Sequence, residues 1–163
     1  MHVDIGYGDV VTPEAVEIEY PALLDQPAPA LKAYPPETVI AEKLQAMVAL
    51  GMLNSRMKDL FDIWAIAGAF AFKGPVLRRA IQATFARRET PVPAELPVAL
   101  TAAFAAEKQA QWVAFLRRTE IALAPDPLPE VQARIASLVA PVLQSLLSEA
   151  PFDPTWPPGG PWA

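Results

Sequence analysis

The chain has no cysteine and only one histidine, His2, among its 163 residues. Disulfides and thiolate zinc sites are therefore excluded, and a single imidazole cannot build a histidine metal centre. The sequence also lacks an apolar run of the roughly 18 or more residues that a membrane-spanning helix needs. Its N-terminus has neither the basic start nor the apolar core of a signal peptide. We therefore expect a cytoplasmic protein with no membrane partner.

Basic residues are also scarce, because 13 Lys and Arg stand against 18 Asp and Glu and leave a net charge of -5. This balance argues against a protein that grips nucleic acid through bulk charge, so any polynucleotide contact must come from a local basic patch. Hydrophobic residues make up 53% of the chain and charged residues 19%, as is typical of a globular protein with one sizeable core. The 19 prolines separate helical patterns and do not form PxxP repeats.

The middle of the chain carries two successive helical patterns. In the first, which follows two prolines, Ile40, Leu44 and Met47 repeat at helical spacing. Lys43 lies one position off this stripe, so its ammonium can reach the edge of a cleft. Gly51 is expected to end the helix.

The second pattern begins as RMKDLFD at Arg56, and the preceding Asn54 and Ser55 offer an N-cap. Its expected buried face is Leu60, Ile63, Trp64 and Ala67. Its first two turns are crowded with the charged residues Arg56, Lys58, Asp59 and Asp62. These charges have an ordinary structural explanation, since Asp59 complements the helix dipole and Lys58 with Asp62 forms an i, i+4 pair. They are also the residue types of a site that binds a charged ligand.

Two strand patterns precede the helices. Residues 2–8 alternate apolar side chains with Asp4, and residues 15–20 alternate in the same way. Carboxylates on neighbouring strands can hold the magnesium ions of phosphoryl or nucleotidyl transfer. Asp4 is also compatible with a plain solvent-facing position. The segment 22–36 has four prolines and no sustained period, so we expect a connector there with short extended pieces.

Three further helices are predicted after the central pair, over about 76–87, 101–118 and 131–147. The first has a basic side, where arginines could face phosphates or form a solvated surface. Those arginines are Arg78, Arg79, Arg87 and Arg88. The aromatics of the second are expected in the core and not as a stacking platform. The final segment, 151–163, has no period, so we expect it to be poorly ordered unless Trp156 and Trp162 dock onto the body.

The block AEKLQAMV to NSRMKDLFDIW, together with VDIGYGD at Val3 to Asp9, resembles the signature of the AbiEii/AbiGii nucleotidyltransferase family, toxins of bacterial toxin-antitoxin and abortive infection systems. Part of the later run from Ala80 to Arg118 also resembles that family. The resemblance implies magnesium-dependent nucleotidyl transfer from a nucleoside triphosphate, with RNA as an acceptor and an antitoxin as a protein partner. It implies Asp4 as a metal ligand, Lys43 and Asp59 as catalytic residues, and nucleotide binding by Lys43, Arg56, Lys58 and Asp62.

Family members also carry a pair of metal-binding aspartates as Asp-x-Asp, which this sequence does not contain. We therefore expect the chain to be a truncated, C-terminal portion that binds magnesium weakly and is inactive alone. The alternative is a non-catalytic module that contacts an antitoxin or a complementary half. The predicted fold class is α+β and mainly helical, with a short two-stranded remnant of a nucleotidyltransferase sheet before a bundle of about five helices. The predicted segments are 1–33, a partial β segment with its connector; 34–150, the helical part; and 151–163, a proline-rich tail.

Overall fold

The computed structural model describes residues 11–19, 27–120, 124–125 and 127–163. These residues form five α-helices and two small sheets, each of two antiparallel strands. The predicted α+β, mainly helical class is therefore confirmed. In chain order the elements are β1 (Val16–Glu19), β2 (Ala30–Ala33), α1 (Pro36–Leu50), α2 (Met57–Ala69), β3 (Phe72–Lys73), α3 (Gly74–Arg87), α4 (Ala102–Thr119), α5 (Leu128–Leu147) and β4 (Thr155–Trp156).

The boundaries of the central helix pair follow from the sequence with one correction. Helix α1 has proline in its first turn, where no backbone N–H is needed, and it ends at Gly51 with φ of 51°. Asn54 and Ser55 were expected to cap α2, but the N-cap residue is Arg56 and no side chain caps that helix. Asn54 instead accepts a hydrogen bond from the Arg56 N–H at 2.9 Å. When an asparagine side chain accepts a hydrogen bond from the backbone N–H two residues later, it forms a turn and does not cap the helix.

The core lies between the helices, where α1 packs on α3 and α2 packs on α5. The predicted apolar stripes of the five helices supply most of its buried residues, although Leu147, at the end of the last stripe, is exposed. Trp64 of α2 is half-buried, and the guanidinium of Arg134 lies 4.7 Å from the centre of its ring. A cation over an indole face is favourable where that face reaches the surface. The predicted core role of the α4 aromatics is confirmed, since Phe104, Trp112 and Phe115 are all buried.

The strand predicted over 15–20 appears as β1, but its partner was not foreseen. Strand β2 lies inside the segment expected to be a connector, and it pairs antiparallel with β1 so that Ile18 faces Leu31. The sequence of β2, ALKA, has no β-branched residue and no sustained alternation of apolar and polar residues. Nothing in the sequence therefore marks it as a strand, and it is recognised only by its pairing with β1. Both Ile18 and Leu31 are exposed. Just before β1, the Thr12 N–H donates to the Thr38 hydroxyl, which in turn donates to the Thr12 carbonyl, and these bonds tie this ribbon to α1.

The C-terminal segment docks onto the helices through its two tryptophans. This docking is the condition under which the sequence predicts that the segment is ordered. Strand β4 pairs with β3, so that Trp156 faces Phe72. The Trp156 indole N–H donates to the Ala67 carbonyl at the end of α2, at 2.8 Å. The Trp162 indole N–H donates to the Leu138 carbonyl of α5, at 2.9 Å. The segment is therefore held by specific bonds to two helices.

Two of the sequence predictions concern residues outside the described part of the chain. The predicted strand over 2–8 lies there, and so does Asp4. Among the residues that the structure does describe, no helix combines the length and the apolar character needed to cross a membrane.

Candidate functional site

The ammonium of Lys43 lies between two carboxylates of the neighbouring helix. Its Nζ is 2.7 Å from Asp59 Oδ1 and 2.8 Å from Asp62 Oδ2. Asp59 and Asp62 are three residues apart on α2, so both project from one side of that helix. The turn from Gly51 to Arg56 brings this side of α2 against α1. The structure thus joins three of the predicted site residues in one contact, and Lys43 with Asp59 face each other across the helix pair.

Two more predicted residues extend this contact towards solvent. Lys58 Nζ donates to Asp62 Oδ2 at 2.6 Å, and Arg56 Nε lies 3.5 Å from Asp59 Oδ2. The outer cations are far more exposed, at 61% for the Arg56 side chain and 73% for Lys58, than the inner Lys43, at 20%. We call these five residues the charged cluster. Its formal charge is +1, from three cations and two carboxylates, in a chain whose net charge is -5.

Lys43 is a permanent cation under ordinary conditions. Burial of its ammonium acts to lower the pKa, but hydrogen bonds and charges from Asp59 and Asp62 outweigh that effect and leave the pKa of Lys43 above its usual value of 10.5. A lysine of this kind cannot serve as a general base near neutral pH. Its chemical capacity is to attract an anion or to stabilise developing negative charge.

A cleft of about 650 Å³ opens beside the charged cluster, between the first turn of α2 and the C-terminal half of α4. Arg56, Lys58 and Asp59 line it from α2. Gln111 and Arg118 line it from α4, and sequence reasoning did not identify either of them as a site residue. The available signal was their spacing, since Gln111, Phe115 and Arg118 recur at intervals of four and three on one helical face.

The four arginines expected on the basic side of α3 do not share one surface role. Arg78 reaches towards α5, where its Nη2 lies 3.5 Å from the Ser145 carbonyl. Arg88 donates to Gln45 Oε1 of α1 at 2.9 Å. Arg79 and Arg87 are exposed. None of the four lines the cleft beside the charged cluster.

The described residues do not fit a magnesium centre. Across the described ranges, no three residues of the His, Cys, Asp or Glu type come together in a way that could hold a metal ion. The two carboxylates of the charged cluster already accept bonds from Lys43, Arg56 and Lys58, so their oxygens face cations. A hard divalent ion requires several oxygen ligands that are free of such competition. The predicted ligand Asp4 lies outside the described residues.

Comparison with known proteins identifies a family for most of the chain. Residues 1–137 match the model of the family described as nucleotidyl transferase AbiEii toxin, type IV TA system. Neither the curated proteins nor the solved structures contain a match to the chain. The match spans 137 of the 163 residues and includes the charged cluster and both walls of the cleft. The chain therefore belongs to the AbiEii family of nucleotidyl transferase toxins of type IV toxin-antitoxin systems.

Proposed function

We propose that the charged cluster binds the phosphates of a nucleoside triphosphate for nucleotidyl transfer. The observation that carries this proposal is the position of Lys43, which two carboxylates hold in place while Arg56 and Lys58 extend the positive charge to the mouth of a cleft. Exposed guanidinium and ammonium groups match the charge of phosphate oxygens. Membership of a nucleotidyl transferase family gives the reaction in which such a ligand would be used.

Within the charged cluster, Lys43 would act on the leaving group and the two carboxylates would hold the cations in place. Nucleotidyl transfer forms a bond between the acceptor oxygen and the α-phosphorus and breaks the bond to the β-phosphate. The acceptor hydroxyl releases its proton to solvent, and pyrophosphate leaves with added negative charge. Lys43 would neutralise that charge, because its ammonium stays protonated. Asp59 would fix Lys43 and Arg56 in orientation, since it contacts both. Asp62 would hold Lys43 and Lys58 in the same way.

We further propose that the chain does not complete this reaction alone. The sequence contains no Asp-x-Asp pair, and the carboxylates of the charged cluster are occupied by cations. Transfer would then depend on Asp4 together with carboxylates that these 163 residues do not contain. An RNA acceptor, an antitoxin partner and a cytoplasmic location belong to this proposal through the family, as does the assignment of 1–33 to a partial nucleotidyltransferase sheet.

Binding of a fluorescent nucleoside triphosphate to the purified chain tests the first part. We expect Lys43→Ala to weaken binding by about tenfold, which is the loss of one charge-assisted contact. Arg79→Ala is the matched control, because Arg79 is an exposed arginine on α3 outside the cleft. No binding by the unaltered chain, or equal affinity in the Lys43→Ala and control variants, would refute nucleotide binding by this cluster.

Transfer of label from each of the four triphosphates to RNA or protein, with magnesium present, tests the second part. We expect no incorporation by the chain alone. Incorporation that disappears in Asp4→Ala would show that the chain is a complete enzyme.

A non-catalytic binding module is the second candidate function. Both carboxylates of the charged cluster contact cations of the same chain. Such a cluster can serve only to hold α1 and α2 together, and this observation favours the second candidate. This candidate predicts that the chain binds its antitoxin or complementary half while showing no affinity for triphosphates. The fluorescent triphosphate titration therefore separates the two candidates.

A further inference from the structure

The α4 wall of the cleft presents polar groups that face the charged cluster. Gln111 and Arg118 stand on this wall, opposite Arg56 and Lys58 on α2. Asp59 is the acidic residue of the lining, and its side chain is only 10% exposed and already contacts Lys43 and Arg56. The open part of the cleft is therefore lined by three cations and little compensating negative charge.

Arg118 is exposed, and within the described residues it makes no hydrogen bond or ion pair to another side chain. Arg56 and Lys58, by contrast, each contact a carboxylate. Three cations around one cleft raise its positive potential, and walls of low dielectric focus that potential towards an entering anion. Arg118 is thus the lining cation that is left to bind a ligand.

The same arginine also belongs to a second groove. This groove runs along α4, has a volume of about 900 Å³, and shares Ala114 and Arg118 with the cleft. Arg117 lies on it as well. The positively charged surface therefore includes Arg117 and Arg118 of α4 in addition to the cations of the charged cluster.

We infer that Arg118, assisted by Gln111, binds a phosphate group of the ligand that occupies this cleft. Guanidinium donors can contact two phosphate oxygens at once, and the carboxamide of Gln111 can donate to a third. The phosphate would come from the triphosphate of the nucleotide or from a phosphodiester of the acceptor strand, since both present the same oxygens. This inference rests on the proposed function and adds α4 to the site.

The test compares Arg118→Glu, Arg118→Lys and the control Arg79→Glu, which makes the same charge change on an exposed arginine of α3. Each is titrated with a fluorescent nucleoside triphosphate and, separately, with a labelled short single-stranded oligoribonucleotide. We expect Arg118→Glu to weaken the binding of at least one probe by about tenfold or more. Arg118→Lys should weaken it less, because lysine keeps the positive charge but loses the contact with two oxygens at once. For the oligoribonucleotide, the plot of log affinity against log salt concentration has a negative slope. In Arg118→Glu this slope should become less negative by about 0.7, which corresponds to the loss of one phosphate contact.

A loss confined to the triphosphate assigns Arg118 to the nucleotide, and a loss confined to the oligoribonucleotide assigns it to the acceptor strand. Arg118→Glu affinities equal to those of Arg79→Glu for both probes overturn the inference. In that case the proposed function still stands if Lys43→Ala weakens triphosphate binding in the same series. If the unaltered chain binds neither probe, both the inference about Arg118 and the proposed function are overturned. Thermal unfolding of each variant confirms that it is folded, as expected for changes at an exposed position.

Discussion

Gly160 lies against the indole ring of Trp156, so that a Cβ atom on the glycine would fall 2.4 Å from the ring. No real side chain tolerates this distance without a shift of the ring or the backbone. The preceding Gly159 has an even larger positive φ, 87° against 74°, yet a Cβ atom there would meet nothing within 4 Å. The two glycines thus share a positive φ, but only Gly160 has a neighbour in the place of a Cβ atom.

We expect Gly160→Ala to destabilise the chain more than Gly159→Ala. Both substitutions impose a side chain on left-handed backbone, which costs roughly 1–2 kcal/mol. Only Gly160→Ala also displaces a buried indole, and overpacking adds about 1–3 kcal/mol. Urea unfolding followed by far-ultraviolet circular dichroism measures both. Equal unfolding free energies would contradict the close contact between Gly160 and Trp156.

Trp156→Phe should lower the free energy of unfolding by about 2–4 kcal/mol. The indole is 1% exposed, and its loss removes buried area and leaves space beside Ala67. The Ala67 carbonyl keeps a second donor, because the Gly159 N–H also bonds it at 3.0 Å. The lost hydrogen bond therefore adds only about 1 kcal/mol to the cavity cost. A melting temperature unchanged from that of the unaltered chain would show that the C-terminal segment does not stabilise the helices.

Lys43 and Asp59 should be energetically coupled. A double-mutant cycle with Lys43→Ala and Asp59→Ala is expected to give a coupling of roughly 1–3 kcal/mol, between the values for exposed and for fully buried pairs. The cycle of Lys58→Ala with Asp62→Ala is the comparison, because Lys58 is 73% exposed. That pair should give about 0.3–0.5 kcal/mol, as is usual for exposed i, i+4 pairs. Equal couplings in the two cycles would contradict the burial of the inner pair.

The stability supplied by Lys43 should depend on pH only in the alkaline range. Its pKa is raised in the folded state above the ordinary 10.5, so its contribution is complete below that value and is lost as the pH rises through the folded pKa. The difference in unfolding free energy between the unaltered chain and Lys43→Met should stay constant from about pH 6 to about pH 9 and shrink only above about 10.5. A difference that already shrinks between pH 7 and pH 9, roughly the range in which a lowered pKa would titrate, would show that burial prevails over the two carboxylates.

Helical periodicity predicted most of this fold because each helix has one apolar face against the core. Ile40, Leu44 and Met47 are fully buried as their spacing required. Strand β2 escaped prediction because four residues of low strand propensity become a strand only through pairing with β1. The N-cap of α2 was misassigned because the Asn54 side chain can accept a hydrogen bond either from the N–H two residues on or from an N–H in the first turn of the helix. Sequence does not decide between these two bonds, and the structure shows the first.

The candidate site was predictable where it is local and unpredictable where it is not. Lys43 and Asp59 lie on consecutive helices joined by a short turn, so sequence placed them on neighbouring helices, and the structure adds the ion pair between them. Arg118 lies on α4, with the whole of α3 between it and Asp59 in the chain, and only the packing of α4 against α2 brings it to the cleft. The docking of the C-terminal segment similarly depends on carbonyl groups of α2 and α5 that sequence cannot place.

The two C-terminal tryptophans form an internal optical reporter. Their ring centroids are 5.5 Å apart and their planes meet at 67°, while Phe152 lies edge-on to Trp162 at 4.9 Å. Near-ultraviolet dichroism of aromatic side chains requires fixed tertiary packing, so we expect the signal of this pair to diminish when the segment leaves the helices. Release of the segment from α2 and α5 would therefore be visible in the spectrum of the unlabelled chain, even where the helix content does not change.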